Sequence, residues 1–128
     1  MLTTYIAIGL GGALGALSRF GLGRLLPATA FTHFPLQIFL VNAIGCLMMG
    51  VVLESMAFYG ALSAPMRSFL TTGFLGGFTT FSAFALEFGL LVDKDLPAHA
   101  IFYAVSSVMV SLFCFFIGIR AVRLVALG

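Results

Sequence analysis

Hydroxyl and amide side chains embedded in apolar sequence are the residues of this chain with chemistry to offer. Tyr103, Ser107 and Ser111 recur at i, i+4 and i+8, so on a helix they form one stripe about 12 Å long. A lone serine in such a setting commonly bonds back to the helix carbonyl four residues earlier. A stripe ending in tyrosine instead offers successive hydrogen bonds to a polar passenger. Asn42 stands in another apolar run with two N–H donors and one carbonyl, enough to bridge helices or to meet an anion. Phe81 and Phe84, three residues apart, project from nearly the same helical face. Each ring has a positive edge, so edges turned toward a pathway favour an anion; with 15 Phe in the chain, apolar bulk is the competing role. Glu87, one turn beyond Phe84, is placed either to face a wet vestibule or to pair with an arginine, and Glu54 is placed in the same way.

The elements that position these groups must lie in a membrane. Of the 128 residues 62% are hydrophobic and 8% charged, and the mean hydropathy is +1.20, outside the range of soluble domains. A net charge of +2 from scattered residues leaves no nucleic-acid footprint. Cys46 and Cys114 both fall in apolar runs and read as packing residues, with no disulfide framework or metal cluster. Four windows reach the length of about 20 apolar residues that a spanning helix needs: Leu2 to Leu26, Leu36 to Ala57, Met66 to Val92 and Pro97 to Leu124. Turn-rich stretches separate them at Pro27 to Pro35, Tyr59 to Pro65 and Asp93 to Pro97. The fold class is therefore an all-α integral membrane protein, with residues 1–128 forming a single four-helix transmembrane domain. No basic n-region precedes the first run, so it is expected to remain as a span. The "GLGG" near Gly9 is not a dinucleotide loop, because Leu14 stands where the last glycine of G-x-G-x-x-G belongs.

Even-numbered spans put both termini and the second loop on one side. Arg67, Arg120 and Arg123 lie there, against Arg19, Arg24 and Lys94 opposite, so the cations divide three against three. Such a chain has no charge bias to orient it, and insertion in both directions, with pairing of opposed copies, is expected. Small residues at helical spacing in the first span, Gly11 and Gly15, Gly12 and Ala16, Gly9 and Ala13, suit close helix approach within or between chains.

The third span is the odd one. Met66 to Val92 would run about 40 Å if fully helical, longer than a hydrocarbon core of about 30 Å. Gly73, Gly76 and Gly77, followed by Thr79 and Thr80, propagate helices poorly, so a break is expected there. A broken helix presents carbonyls suited to a cation and N–H groups suited to an anion, with a packing kink as the alternative.

At these residues the sequence resembles the Fluc family of fluoride ion channels, also called the CrcB family. The resemblance spans the full length and rests on "GGALGALSRF" from Gly11 to Phe20, on Val41 and Asn42, and above all on "TTGFLGGFTTFSAFALE" from Thr71 to Glu87. It implies a dual-topology homodimer of two antiparallel chains in the bacterial inner membrane, with two fluoride pathways. It implies that Asn42, Phe81, Phe84, Tyr103, Ser107 and Ser111 line the pathway, and that backbone carbonyls of Gly76 and Thr79 hold a structural sodium ion at the dimer interface. Arg19 matches a first-helix arginine near the vestibule. Family members often have Gly-Thr where this chain has Gln37 and Ile38, so one hydroxyl of the polar track is missing, and the Gln37 amide is its replacement candidate.

These expectations add up to a passive fluoride channel, with no enzymatic activity. The rival from another class is a dual-topology, proton-coupled exporter of small cations, which requires a carboxylate at mid-depth; Glu87 is the candidate.

Overall fold

The computed structural model describes residues 1–26 and 33–128, so most of the expected first loop, from Pro27 to Thr32, lies outside the described residues. The described chain is helical, with no strand among the described residues. Helix α1 covers Leu2–Leu25 and α2 covers Leu36–Tyr59. The third span comprises α3 (Ala64–Ser68), a π-helical stretch (Phe69–Leu75), α4 (Gly76–Phe78) and α5 (Phe81–Asp93). Helix α6 runs over Pro97–Leu127. Four helical runs, Leu2–Leu25, Leu36–Tyr59, Ala64–Asp93 and Pro97–Leu127, are long and apolar enough to cross a membrane, and they overlap the four expected windows.

The helices pack as two pairs, α1 against the first half of the third span and α2 against α6, with α5 joining the second pair. Glycines set both contacts. A Cβ on Gly77 would lie 3.0 Å from Gly12 Cα, and one on Gly73 would lie 3.0 Å from Gly11 Cα. In the other pair, Gly50 faces the Phe115 carbonyl, while Gly118 faces the Leu47 carbonyl and Val51 N. Without a solvent-driven hydrophobic force in lipid, backbone approach of this kind is what holds helices together. The first-span glycines thus serve contacts within the chain at Gly11, Gly12 and Gly15, whereas a Cβ on Gly9 would meet nothing within 4 Å among the described residues.

The expected break is present, at the threonine end of the stretch from Gly73 to Thr80. Gly73, Gly76 and Gly77 do not break the third span; they lie in π- and α-helical backbone. A glycine costs a helix about 1 kcal/mol relative to alanine, and close contact with α1 at Gly73 and Gly77 offsets that loss. The interruption falls on the threonines instead. Thr79 (φ −80°, ψ 156°) and Thr80 (φ −154°, ψ 123°) are extended, and α5 restarts with the Thr80 hydroxyl accepting from Ala83 N at 3.1 Å as an N-cap.

Two further anchors fix the bundle. Leu91, Ala100 and Tyr103 form a buried cluster, packed by Phe34, Phe39, Phe84, Phe88 and Leu96. Toward the termini, Arg123 Nε donates to buried Glu54 Oε1 at 2.6 Å, tying α2 to α6. Of the two outcomes open to Glu54, the arginine pair is the one adopted, which keeps its carboxylate from standing uncompensated at a helix interface.

Gly15 offers the clearest test of the α1 contact. A methyl there would collide with the Phe74 carbonyl oxygen and lie 2.8 Å from Phe78 N, both backbone atoms that cannot rotate away. Gly15→Ala is expected to lower unfolding stability by about 1–3 kcal/mol or more. Gly21→Ala, whose methyl would meet nothing within 4 Å among the described residues, should be neutral or slightly stabilising. Denaturation of the purified protein in detergent checks both, and equal stability of the two variants would remove the close contact from the account.

Candidate ion pathway

The break in the third span is held open by Asn42. Its Oδ1 accepts from Thr80 N at 2.8 Å and its Nδ2 donates to the Thr80 carbonyl at 3.0 Å. Extended Thr80 turns its own N–H and C=O to one side, as in a hydrogen-bonded antiparallel pair, and the carboxamide supplies the matching C=O and N–H. Asn42 therefore bridges helices, and one Nδ2 hydrogen remains beyond the Thr80 bond. Thr80, which spacing alone does not single out, is the residue that makes this junction.

Beside the junction a groove of about 340 Å³ is lined by Asn42, Phe81, Phe84, Ser107 and Ser111 together with both threonines. Five of the six expected pathway residues thus share one groove. Tyr103 is absent from that lining: it is fully buried directly behind it, its ring 5.1 Å from Phe84. Phe115 also lines the groove, one turn beyond Ser111, so the stripe continues as an aromatic. Phe81 is 78% exposed, which means that the groove opens on the protomer surface.

Two hydroxyls on the stripe stand out. Tyr103 Oη and Ser107 Oγ are buried without a hydrogen-bond partner among the described residues. Neighbouring Ser106, off the stripe, bonds back to the Phe102 carbonyl at 2.6 Å as helix serines commonly do. A buried hydroxyl left unpaired costs about 1–3 kcal/mol, so two on one stripe mark a place prepared for a polar occupant. The groove itself is mostly apolar, its lining adding the Asn42 amide, the Ser107 and Ser111 side chains and two phenyl rings, with no carboxylate or ammonium among its lining residues.

The other expected site residues lie around this groove. Arg19 Nη1 donates to the Thr79 carbonyl at 3.3 Å, placing the guanidinium at the C-terminal end of α4, where exposed carbonyls attract a cation. Thr79 itself bonds back, from both N and Oγ1, to the Leu75 carbonyl. Gly76 is exposed, and the N–H that would cap its carbonyl in an unbroken helix, that of Thr80, is turned to Asn42. Two carbonyls at a half-helix end fit a sodium ion by donor type, with Arg19 the competing charge at Thr79. Glu87 is half-buried on α5 and does not line the groove. Gln37 does not line it either: its amide lies over Gly23 of α1, and Ile38 is buried.

Fold and groove together define a small four-span helical membrane protein organised around a broken third helix. The profile of the family described as "CrcB-like protein, Camphor Resistance (CrcB)" matches residues 6–119, and the chain belongs to that family. It is 39% identical over 119 residues to the fluoride-specific ion channel FluC 2 of Nitrobacter hamburgensis, covering 93% of this chain and 96% of that one. To a fluoride-specific ion channel FluC of Thermus thermophilus it is 41% identical over 116 residues, 91% and 92% of the two chains. The FluC of Novosphingobium aromaticivorans is 42% identical over 126 residues, 97% and 98% of the two.

Proposed function

We propose that the protein is a passive, selective fluoride channel that lets fluoride leave a bacterial cell across its inner membrane. The observation that carries this reading is the pair of unpartnered buried hydroxyls, Tyr103 and Ser107, on the stripe beside a groove that also offers an amide and two phenyl rings. Membership of a family whose relatives are named fluoride-specific ion channels supplies the ion. Hydrogen fluoride enters a cell uncharged, ionises at cytoplasmic pH and is trapped, so a pore that follows the membrane potential suffices for export. A fluoride ion that sheds water needs donors in its place, which the hydroxyls and the Asn42 N–H provide, with ring edges between them. A fixed cation in the groove would hold the ion too tightly to release it, and none lines it.

The rival exporter fits less well. It needs a proton-exchanging carboxylate on the transport path, yet Glu54 is paired with Arg123 and Glu87 stands outside the groove. Efflux from vesicles carrying the purified protein separates the two. Fluoride release with charge balanced by a potassium ionophore, and no proton gradient, is the expected result; absence of fluoride release, or dependence on a proton gradient, overturns it.

The conducting unit is two antiparallel copies. A groove open along one face is not yet an enclosed path, and the balanced cations leave insertion unbiased. A sodium ion between the copies, held by the Gly76 and Thr79 carbonyls, would supply positive charge where two half-helix C-terminal ends meet. Adding two or three lysines beyond Arg123 is expected to bias insertion, lower flux, and be rescued by co-expressing an oppositely biased copy. Full flux from a chain locked in one orientation would remove the antiparallel pair.

A further inference from the structure

We propose that His33 and His99 form a two-imidazole site for a borderline divalent cation such as Zn²⁺, at the mouth of the pathway. His99 lies one turn before Tyr103, so it extends the stripe of Tyr103, Ser107 and Ser111 by one position toward the start of α6. His33 reaches the same place from the segment just before α2, the helix packed against α6. It directly precedes Phe34, whose ring stands edge-on to Tyr103 at 5.6 Å and to Phe102 at 5.9 Å. The two imidazole rings are 6.2 Å apart between centroids, at 81° to one another. Both residues are exposed, within reach of a cation carried in solvent.

The spacing suits one shared metal. Two imidazoles that each bond a zinc ion at about 2.0–2.1 Å hold their ring centroids roughly 5–6 Å apart. The observed separation is closed to that range by small side-chain rotations, which exposed rings make freely. His33 also holds a left-handed backbone, φ 54°, a conformation that histidine adopts more readily than most residues with a Cβ. No third His, Cys or carboxylate joins them in a cluster among the described residues, so water or an anion completes the coordination and the site is weaker than a four-ligand centre. Neutral imidazole is a ligand that zinc, copper and nickel share, and the selectivity is for that class over calcium and magnesium, which prefer oxygen.

The consequence for transport rests on the fluoride reading. A dication with open coordination positions at the mouth attracts the passing anion and retards its departure, while bridging the segment before α2 to α6. Zinc is therefore expected to slow fluoride flux. Calorimetric titration of the full-length protein in detergent with zinc chloride tests the site itself, independently of what the protein conducts. One zinc per chain is expected for the parent. Since losing an outer-sphere partner already weakens a bound metal about tenfold, losing a direct ligand in His33→Ala or His99→Ala should weaken it by at least that. Helical circular dichroism verifies that both variants are folded. No saturable binding by the parent, or parent-like binding by either variant, overturns the pair as a site. In vesicles, zinc should slow fluoride efflux through the parent and not through either variant; zinc binding that leaves parental efflux unchanged overturns the mouth assignment. A parent that releases no fluoride even without zinc refutes the channel reading alone, because the calorimetry does not depend on it.

Discussion

Exchanging Phe81 or Phe84 for Ile is expected to leave a folded protein whose fluoride flux falls about tenfold or more for each substitution, since one lost ring-edge interaction of about 1.4 kcal/mol in the barrier is a factor of ten. Isoleucine retains apolar bulk and removes the positive edge, so a packing role predicts near-parental flux instead. The two positions differ in what else they lose. Phe84 is flanked by Phe81 at 5.3 Å and by the Tyr103 ring at 5.1 Å, so its replacement also loosens an aromatic cluster, by about 1 kcal/mol. Phe81 is 78% exposed on the protomer, so its replacement should change flux without changing stability of the single chain. Met, flexible and polarizable, is expected to keep partial conduction at either position. Phe113→Ile is the control, because Phe113 lines a separate groove with Phe116 and Ile117. Phe115 is not, since it shares the groove with Ser111. If both variants conduct as the parent does, the rings are packing groups and the anion path lies elsewhere.

The four spans were legible in the sequence because a run of about 20 apolar residues is a one-dimensional property. The break was legible as a stretch ending at Thr79 and Thr80, but its place within that stretch was not. Helix propensity marks Gly73, Gly76 and Gly77 together with Thr79 and Thr80, but it carries no information about the α1 backbone that rewards Gly73 and Gly77 for staying helical. Similarly, the double bond from Asn42 to Thr80 joins residues far apart in the chain and depends on the extended backbone of one of them. Spacing did separate Ser107 from adjacent Ser106, because an i+4 stripe distinguishes the faces of a helix, and only the on-stripe hydroxyl is unpartnered. The same rule reaches His99, one further turn back, a signal present in the spacing once the stripe is followed to the start of α6. Gln37 shows the opposite case: its type suits the track, but its helical face turns it to Gly23.

The glycines and threonines of the third span thus have separate tasks. Gly73 and Gly77 anchor the first half against α1, Thr79 and Thr80 uncouple it from α5, and α2 contributes one amide that stabilises the uncoupled backbone. Because Thr80 also caps α5, the direction in which Phe81 and Phe84 leave the break depends on Asn42. Chemistry in the groove and order in the broken helix meet at that side chain.

Asn42→Leu is accordingly expected to be the most damaging single change. Leucine matches the size of the amide and satisfies neither the Thr80 N–H nor its carbonyl, and two unpaired backbone groups at membrane depth cost about 1–3 kcal/mol each. Stability should fall by about 2–6 kcal/mol and fluoride flux should vanish, since Phe81 and Phe84 lose the junction that aims them. Denaturant unfolding in detergent and vesicle efflux measure the two effects; parental stability would mean that the Thr80 groups find other partners and that Asn42 does not brace the break. Asn42→Asp divides bracing from ion binding. At membrane depth the aspartate is favoured as the neutral acid, which still accepts from Thr80 N–H and donates its O–H to the Thr80 carbonyl but has no second hydrogen to offer the groove. Folding near that of the parent with no flux assigns the remaining Asn42 N–H to the anion, whereas folding and flux both near the parent make Asn42 a brace alone and leave Ser107 and Ser111 to replace the water that fluoride gives up.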